Sequence, residues 1–209
     1  MLVEPRWPAS PPDGGASALW DWIGSNHQCN ALLWRQEDMA RRTQASDADI
    51  VSNKRAIDQY NQRRNDAVER IDEILLLQLG LIDAAAAGHF MVRYRALPDA
   101  RLHSETAGSM IDRLSILALK IHALMEHAHL QGATAAHLAQ CHDRLVRLRQ
   151  QRADLAACLD QLLTDAGAGK AYFKIYRQFK MYNDPDFNPA LRAERAAAAI
   201  TTESSPDGH

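Results

Sequence analysis

Between Ser46 and Gly80 the chain carries neither proline nor glycine, and good helix formers dominate the stretch. Read as one helix, it is about 50 Å long. Ser46 and Asp49 have the spacing of a capping box, which fixes the start; Gly80 and Gly88 are the alternative stops. A helix of that length is stable only with other helices packed along it, which commits the domain to a bundle. Its far end projects beyond short neighbours and offers a contact for a homodimer.

The rest of the chain agrees. Val and Ile are few, Ala, Leu, Arg, Gln and Glu abound, and no strand alternation stands out. A first helix is expected over residues 17–42, with a break near Gly24. The third follows Pro98, is capped by Ser104 and ends near Gly132; the fourth is capped by Thr134 and ends at Gly167 to Gly169. A fifth over residues 170–182 carries Tyr172, Phe173, Tyr176 and Phe179 and stops at Asn183-Asp184-Pro185. The expected fold is all-α: long antiparallel helices in an up-and-down bundle with an added aromatic C-terminal helix. Residues 17–187 form the domain, and residues 1–16 and 188–209, rich in Pro and Gly or in Ala and Ser, read as disordered ends.

Composition removes several function classes. A net charge of −2 supplies no field for a phosphate backbone, so no nucleic acid partner is expected. No apolar run reaches the roughly 20 residues of a membrane span, and the first residues, MLVEPRWPASPPDGG, lack the basic start and apolar segment of a secretion signal. A cytoplasmic protein is the expectation. Cys141 and Cys158 fall on one helix about 25 Å apart, too far for a bridge, so reduced thiols are expected. Phosphate loops, nucleophile elbows and Cys-x-x-Cys pairs do not occur.

Function is more legible where a helix breaks the rule that its buried stripe be apolar. On the long helix Ile50, Ile57, Val68, Leu75 and Leu79 share one line, yet Asn61 and Arg64 sit on it, with Lys54, Asn65 and Asp72 at its border. The other helices have polar partners to offer. Trp34, Glu37, Asp38 and Arg41 share a side of the first; Glu105, Asp112, Ser115 and His122 lie on the third; Arg152 interrupts the leucine stripe of the fourth. Such groups cost stability unless paired, so they form either an interhelical hydrogen-bond network that sets register or a polar pocket for a ligand. Asp58, Asn61, Asn65, Glu69 and Asp72, at three- and four-residue steps, make a ribbon suited to a cation or to sugar hydroxyls. Glu69-x-x-Asp72 with Glu37 and Asp38 is similar to the carboxylates with which helical nucleotide pyrophosphohydrolases hold magnesium. His122, Glu126 and His129 share a helix face that could serve a metal, but a helix C-terminus favours imidazolium without one.

The strings ALLWRQEDMARR, DADIVSNKRAIDQYNQRRNDAVERID and LHSETAGSMIDRLSILALKIHAL make the chain resemble the bacterial domain-of-unknown-function family 4254 over residues 17–182. That resemblance implies an all-helical fold and a gene often found beside glycosyltransferases of cell-envelope polysaccharide assembly; it implies no reaction and names no catalytic residue. Trp34, Glu37, Asp38, Lys54, Asp58, Asn61, Asn65, Glu69, Glu105, Asp112 and Arg113 all lie in those strings. The leading expectation is an interhelical pocket for a sugar or sugar-nucleotide. In it Glu37, Asp38, Asp58, Asn61, Asn65, Glu69, Glu105 and Asp112 orient hydroxyls or a cation, and Lys54, Arg64 and Arg113 hold an anionic group. The competing expectations are an accessory protein that docks on a glycosyltransferase without catalysing anything, and a magnesium-dependent nucleotide hydrolase.

Overall fold

A computed structural model describes residues 16–86, 89, 92–129, 132–179 and 181–203. The main body is built from α1 (Ala16–Ala40), α2 (Asp47–Gln78), α3 (Ala107–Ala128) and α4 (Ala135–Gly167). Two short strands, β1 (Arg101–Leu102) and β2 (Ala171–Tyr172), pair in parallel. Beyond Tyr176 the chain separates as a second unit holding α5 (Pro189–Glu203).

The capping chemistry explains most boundaries. Ser46 caps α2: its hydroxyl accepts from the Asp49 amide at 3.2 Å and donates to the Asp49 carboxylate at 2.8 Å. At the other end the Gly80 amide reaches the Leu77 carbonyl and the Leu81 amide reaches the Leu76 carbonyl, with Gly80 at a φ of 69°. That is a Schellman stop, and Gly169 closes α4 in the same way, with the Lys170 amide on the Asp165 carbonyl at 2.8 Å. Thr134 caps α4 as its sequence suggests, and α1 passes through Gly24 without a break.

Three expectations need correction. The cap of α3 is Thr106, whose hydroxyl accepts from the Ser109 amide, because Ser104 lies in the turn that leaves β1. Among the described residues of 170–182 the expected aromatic helix does not form. Residues 171–176 are extended, with Ala171, Phe173 and Ile175 buried and Tyr172, Lys174 and Tyr176 less so; a period of two was hidden under aromatics that happen to fall at helical steps. The segment is held by β1, by the Ile175 amide donating to the Tyr94 hydroxyl at 3.0 Å, and by Lys174 over the rings of Tyr94 and Tyr172. Part of the expected loose tail is also ordered. Asn188 caps α5, accepting from the Ala190 and Leu191 amides, and Arg195 pairs with Asp186. The N-terminal segment expected to be disordered lies, up to residue 15, outside the described residues.

Packing follows the up-and-down order. Leu32 and Leu33 near the end of α1 meet Ile57 and Tyr60 near the start of α2, while Trp22 joins Ile71, Ile74, Leu75 and Leu76, so α1 and α2 are antiparallel. The main core adds Ala107 and Met110 of α3, Leu155, Leu162 and Ala166 of α4, and Ala171, Phe173 and Ile175. Thus α3 packs on α1, α2 and α4, and the first half of α4 leans on α3, burying Cys141 and Leu145.

Candidate functional site

The polar interruption of the bundle resolves into a seam between α1 and α3. Asn26, wholly buried, and Asn30 both donate to one oxygen of Asp112, at 2.9 and 2.8 Å. Asn30 also reaches Asn26 and the Ser115 hydroxyl, which His27 meets at 2.9 Å. Arg64 of α2 brings its Nε to 4.0 Å from the other Asp112 oxygen, a long ion pair that leaves this buried nitrogen without a hydrogen bond. The two asparagines and the carboxylate satisfy one another, which is what lets them be buried. Beside them Cys29 is pushed up to about 11 by burial, with Arg63 and Arg64 opposing, so its thiol stays neutral.

About two turns of α2 beyond Arg64, Asp72 meets the start of α3. It is 2% exposed and accepts from the Gly108 amide at 2.6 Å, capping α3 from a neighbouring helix. Burial raises its carboxyl from 3.8 to about 7; the hydrogen bonds of Thr106 and Gly108 lower it, and Glu69 and Glu73 add to the rise. Gly108 is required by distance, since a Cβ there would stand 2.5 Å from the Val68 carbonyl oxygen. The Thr-Ala-Gly of HSETAG is therefore packing chemistry: a cap, a residue with no exposed surface and a close helix crossing.

The sequence candidates divide among several places. Asp112 and Arg64 come together in the seam, and Glu105 pairs with Arg113 at the start of α3. Glu37 pairs with Arg41 at 2.6 Å and Lys54 with Asp58, both as exposed neighbours one turn apart on their own helices, and Asp38 is exposed. Asn61, Asn65 and Glu69 are half-buried along α2. Among the described residues no three His, Cys, Asp or Glu side chains gather to hold a metal ion, and the magnesium expectation finds no ligand set there. Arg152, expected on the buried stripe of α4, is exposed.

Trp34 leads elsewhere, to a cleft of about 520 Å³ where α1, α3 and α4 meet. Trp34, Ala123, Leu124 and Leu148 give it an apolar floor. Around them stand Lys120, Arg144 and Arg147, with His127 and His137 at one end and Cys141 in the wall, 3.5 Å from His137. No carboxylate lines this cleft among the described residues, and none pairs with Lys120, Arg144 or Arg147. A second cleft of about 650 Å³ lies along the same helices, bounded by His103, Glu105, Arg113 and Asp154 over Met110, Leu117 and Leu155. Lys120 and Gln151 line both. Sequence reasoning picked Arg152 on α4 and passed over Arg144 and Arg147, because charged residues on a long helix ordinarily face solvent; only their i, i+3 spacing beside Leu148 hinted at a shared wall.

An all-α bundle with a cationic groove between two of its helices is the class that this geometry defines. Residues 20–175 match the family model described as Protein of unknown function (DUF4254), and the chain belongs to that family. No curated protein and no solved structure matches the chain. None of the described helices is long and apolar enough to cross a membrane.

Proposed function

We propose that this protein binds a phosphate-bearing small molecule of the sugar or sugar-nucleotide type in the cleft between α1, α3 and α4, in the service of cell-envelope glycan assembly. The observation that carries the reading is the set of three cations, Lys120, Arg144 and Arg147, with no carboxylate partner among the described residues, around an apolar floor that includes Trp34. Cations that the fold leaves unpaired keep their affinity for an anion from outside, and arginines take phosphate oxygens two at a time. The indole gives a base or a sugar ring a flat surface to stack on. The volume lies within the roughly 300–1,000 Å³ of small-molecule sites. The leading site thus moves away from Asn61 and its neighbours on α2 to a cleft that shares only Trp34 with the sequence candidates. Pyrophosphate, nucleoside diphosphates and phosphosugars are expected to raise the melting temperature of the full chain. The shift should vanish in the Arg144→Ala, Arg147→Ala double variant; a flat response across that panel would overturn the reading.

A second reading is supported by a different observation. Tyr176, Phe179, Tyr182 and Phe187 are all exposed within a short stretch, a density of uncovered aromatics that suits docking on a glycosyltransferase. Because Ala171, Phe173 and Ile175 belong to the core, the informative deletion removes residues 177–209 only. That truncated chain should keep its melting temperature and lose the partner in a pulldown; an unchanged pulldown would dispose of docking through this segment.

A further inference from the structure

We infer that the two clefts are two ends of one α3–α4 groove, and that the ligand is elongated, with its phosphates at Arg144 and Arg147 and a hydroxyl-rich sugar lying toward Glu105 and Asp154. The inference rests on the phosphate reading of the first cleft and adds the chemistry and direction of the remainder.

Continuity is the first argument. Lys120 of α3 and Gln151 of α4 line both clefts, so the two clefts adjoin at this pair of side chains. Arg147 and Asp154 are two turns apart on α4, about 10 Å along the groove. A monosaccharide joined to a diphosphate has that reach.

Charge is the second, because it changes character along the groove. The first cleft is lined by cations with no acid; the second adds Glu105 and Asp154 to Arg113 and His103. Carboxylates repel a phosphate but accept hydrogen bonds from hydroxyls, while Arg113, held beside Glu105 by their ion pair, donates. Asp154 is oriented by the Gln150 amide at 2.7 Å and keeps acceptor capacity on its carboxylate. Below these polar groups Met110, Leu117 and Leu155 form a floor against which the C–H face of a sugar ring can pack. The combination of an apolar floor with an acid–arginine rim matches a polyol and not a second anion.

The thiols provide a native readout: Cys141 lies in the wall of the first cleft and Cys158 in the second, and only Cys158 of the two is exposed. The test uses the full chain with UDP and with UDP-linked glucose, galactose, N-acetylglucosamine and rhamnose, measuring affinity by calorimetry and Cys158 alkylation by mass spectrometry. At least one diphosphate sugar is expected to bind about tenfold more tightly than UDP, the worth of one hydrogen bond to a charged group. That sugar should slow Cys158 alkylation where UDP does not. Glu105→Gln and Asp154→Asn should each weaken the sugar conjugate more than UDP, with melting temperatures unchanged. If UDP binds but no sugar adds affinity or protects Cys158, the extended groove is wrong while the phosphate site stands. If the two variants weaken UDP and its conjugates equally, the sugar end is likewise misplaced. Failure of UDP and every conjugate to bind would overturn both this inference and the phosphate reading beneath it.

Discussion

The seam between α1 and α3 and the groove between α3 and α4 are both polar, yet they treat charge in opposite ways. In the seam Asp112 accepts from Asn26 and Asn30 and has Arg64 at the distance of a long ion pair. In the first cleft of the groove no acid joins Lys120, Arg144 and Arg147 among the described residues, and none pairs with them. Polar groups satisfied within the fold fix how helices meet, and their removal costs stability; groups that the fold leaves unsatisfied cost little to remove and are free to act on something else. On the proposed function, one face of α3 serves structure and the other binding.

The largest expected effect breaks the seam. Asp112→Ala strands two buried amides and the Arg64 guanidinium, and should cost about 3 kcal/mol in denaturant unfolding. A loss below about 0.5 kcal/mol would mean that the seam is not the register device described here. Next is the crossing of α2 and α3. Gly108→Ala forces a methyl against the Val68 carbonyl and the Asp72 carboxylate, and about 2 kcal/mol should be lost.

Asp72 sharpens the same comparison through pH. Its folded carboxyl is raised from 3.8 to about 7, so between those values the folded state holds a proton that the unfolded chain has released. This contribution to stability is fully present below pH 3.8 and is lost as pH rises through about 7, at up to about 1.4 kcal/mol per pH unit. Asp72→Asn keeps a carbonyl oxygen for the Gly108 amide but cannot titrate. Stability curves from pH 4 to 8 should converge with that slope removed; parallel curves for the two proteins would refute the assignment. The smallest effect belongs to the exposed pair on α2, where Lys54→Ala should change stability by about 0.5 kcal/mol or less.

The sequence was most readable where local rules operate. The Ser46 box and the absence of breakers give the start and the minimum length of α2 to within a residue or two, and the structure selects Gly80 over Gly88 as its stop. It was less readable where distant segments decide. Residues 171–176 carry aromatics at helical steps, and distant partners hold them extended: Arg101 and Leu102 pair with Ala171 and Tyr172, and the Tyr94 hydroxyl accepts from the Ile175 amide. Asn61 and Arg64 on α2 signalled a buried polar region, but Asn26 and Asn30 went unnoticed because asparagines in the middle of α1 read as ordinary surface residues until a partner such as Asp112 is placed against them. They lie with Cys29 and Leu33 at three- and four-residue steps, the one local sign that they face inward. Lys120, Arg144 and Arg147 became visible only once α3 and α4 were placed side by side.

The groove carries the functional claim, and a calorimetric titration of UDP into the full chain, repeated with the Arg144→Ala, Arg147→Ala double variant, tests it most directly. The account predicts binding that weakens with added salt, and a loss of at least about tenfold in the variant at an unchanged melting temperature. Equal affinity for the two proteins, or no heat with either, would contradict it.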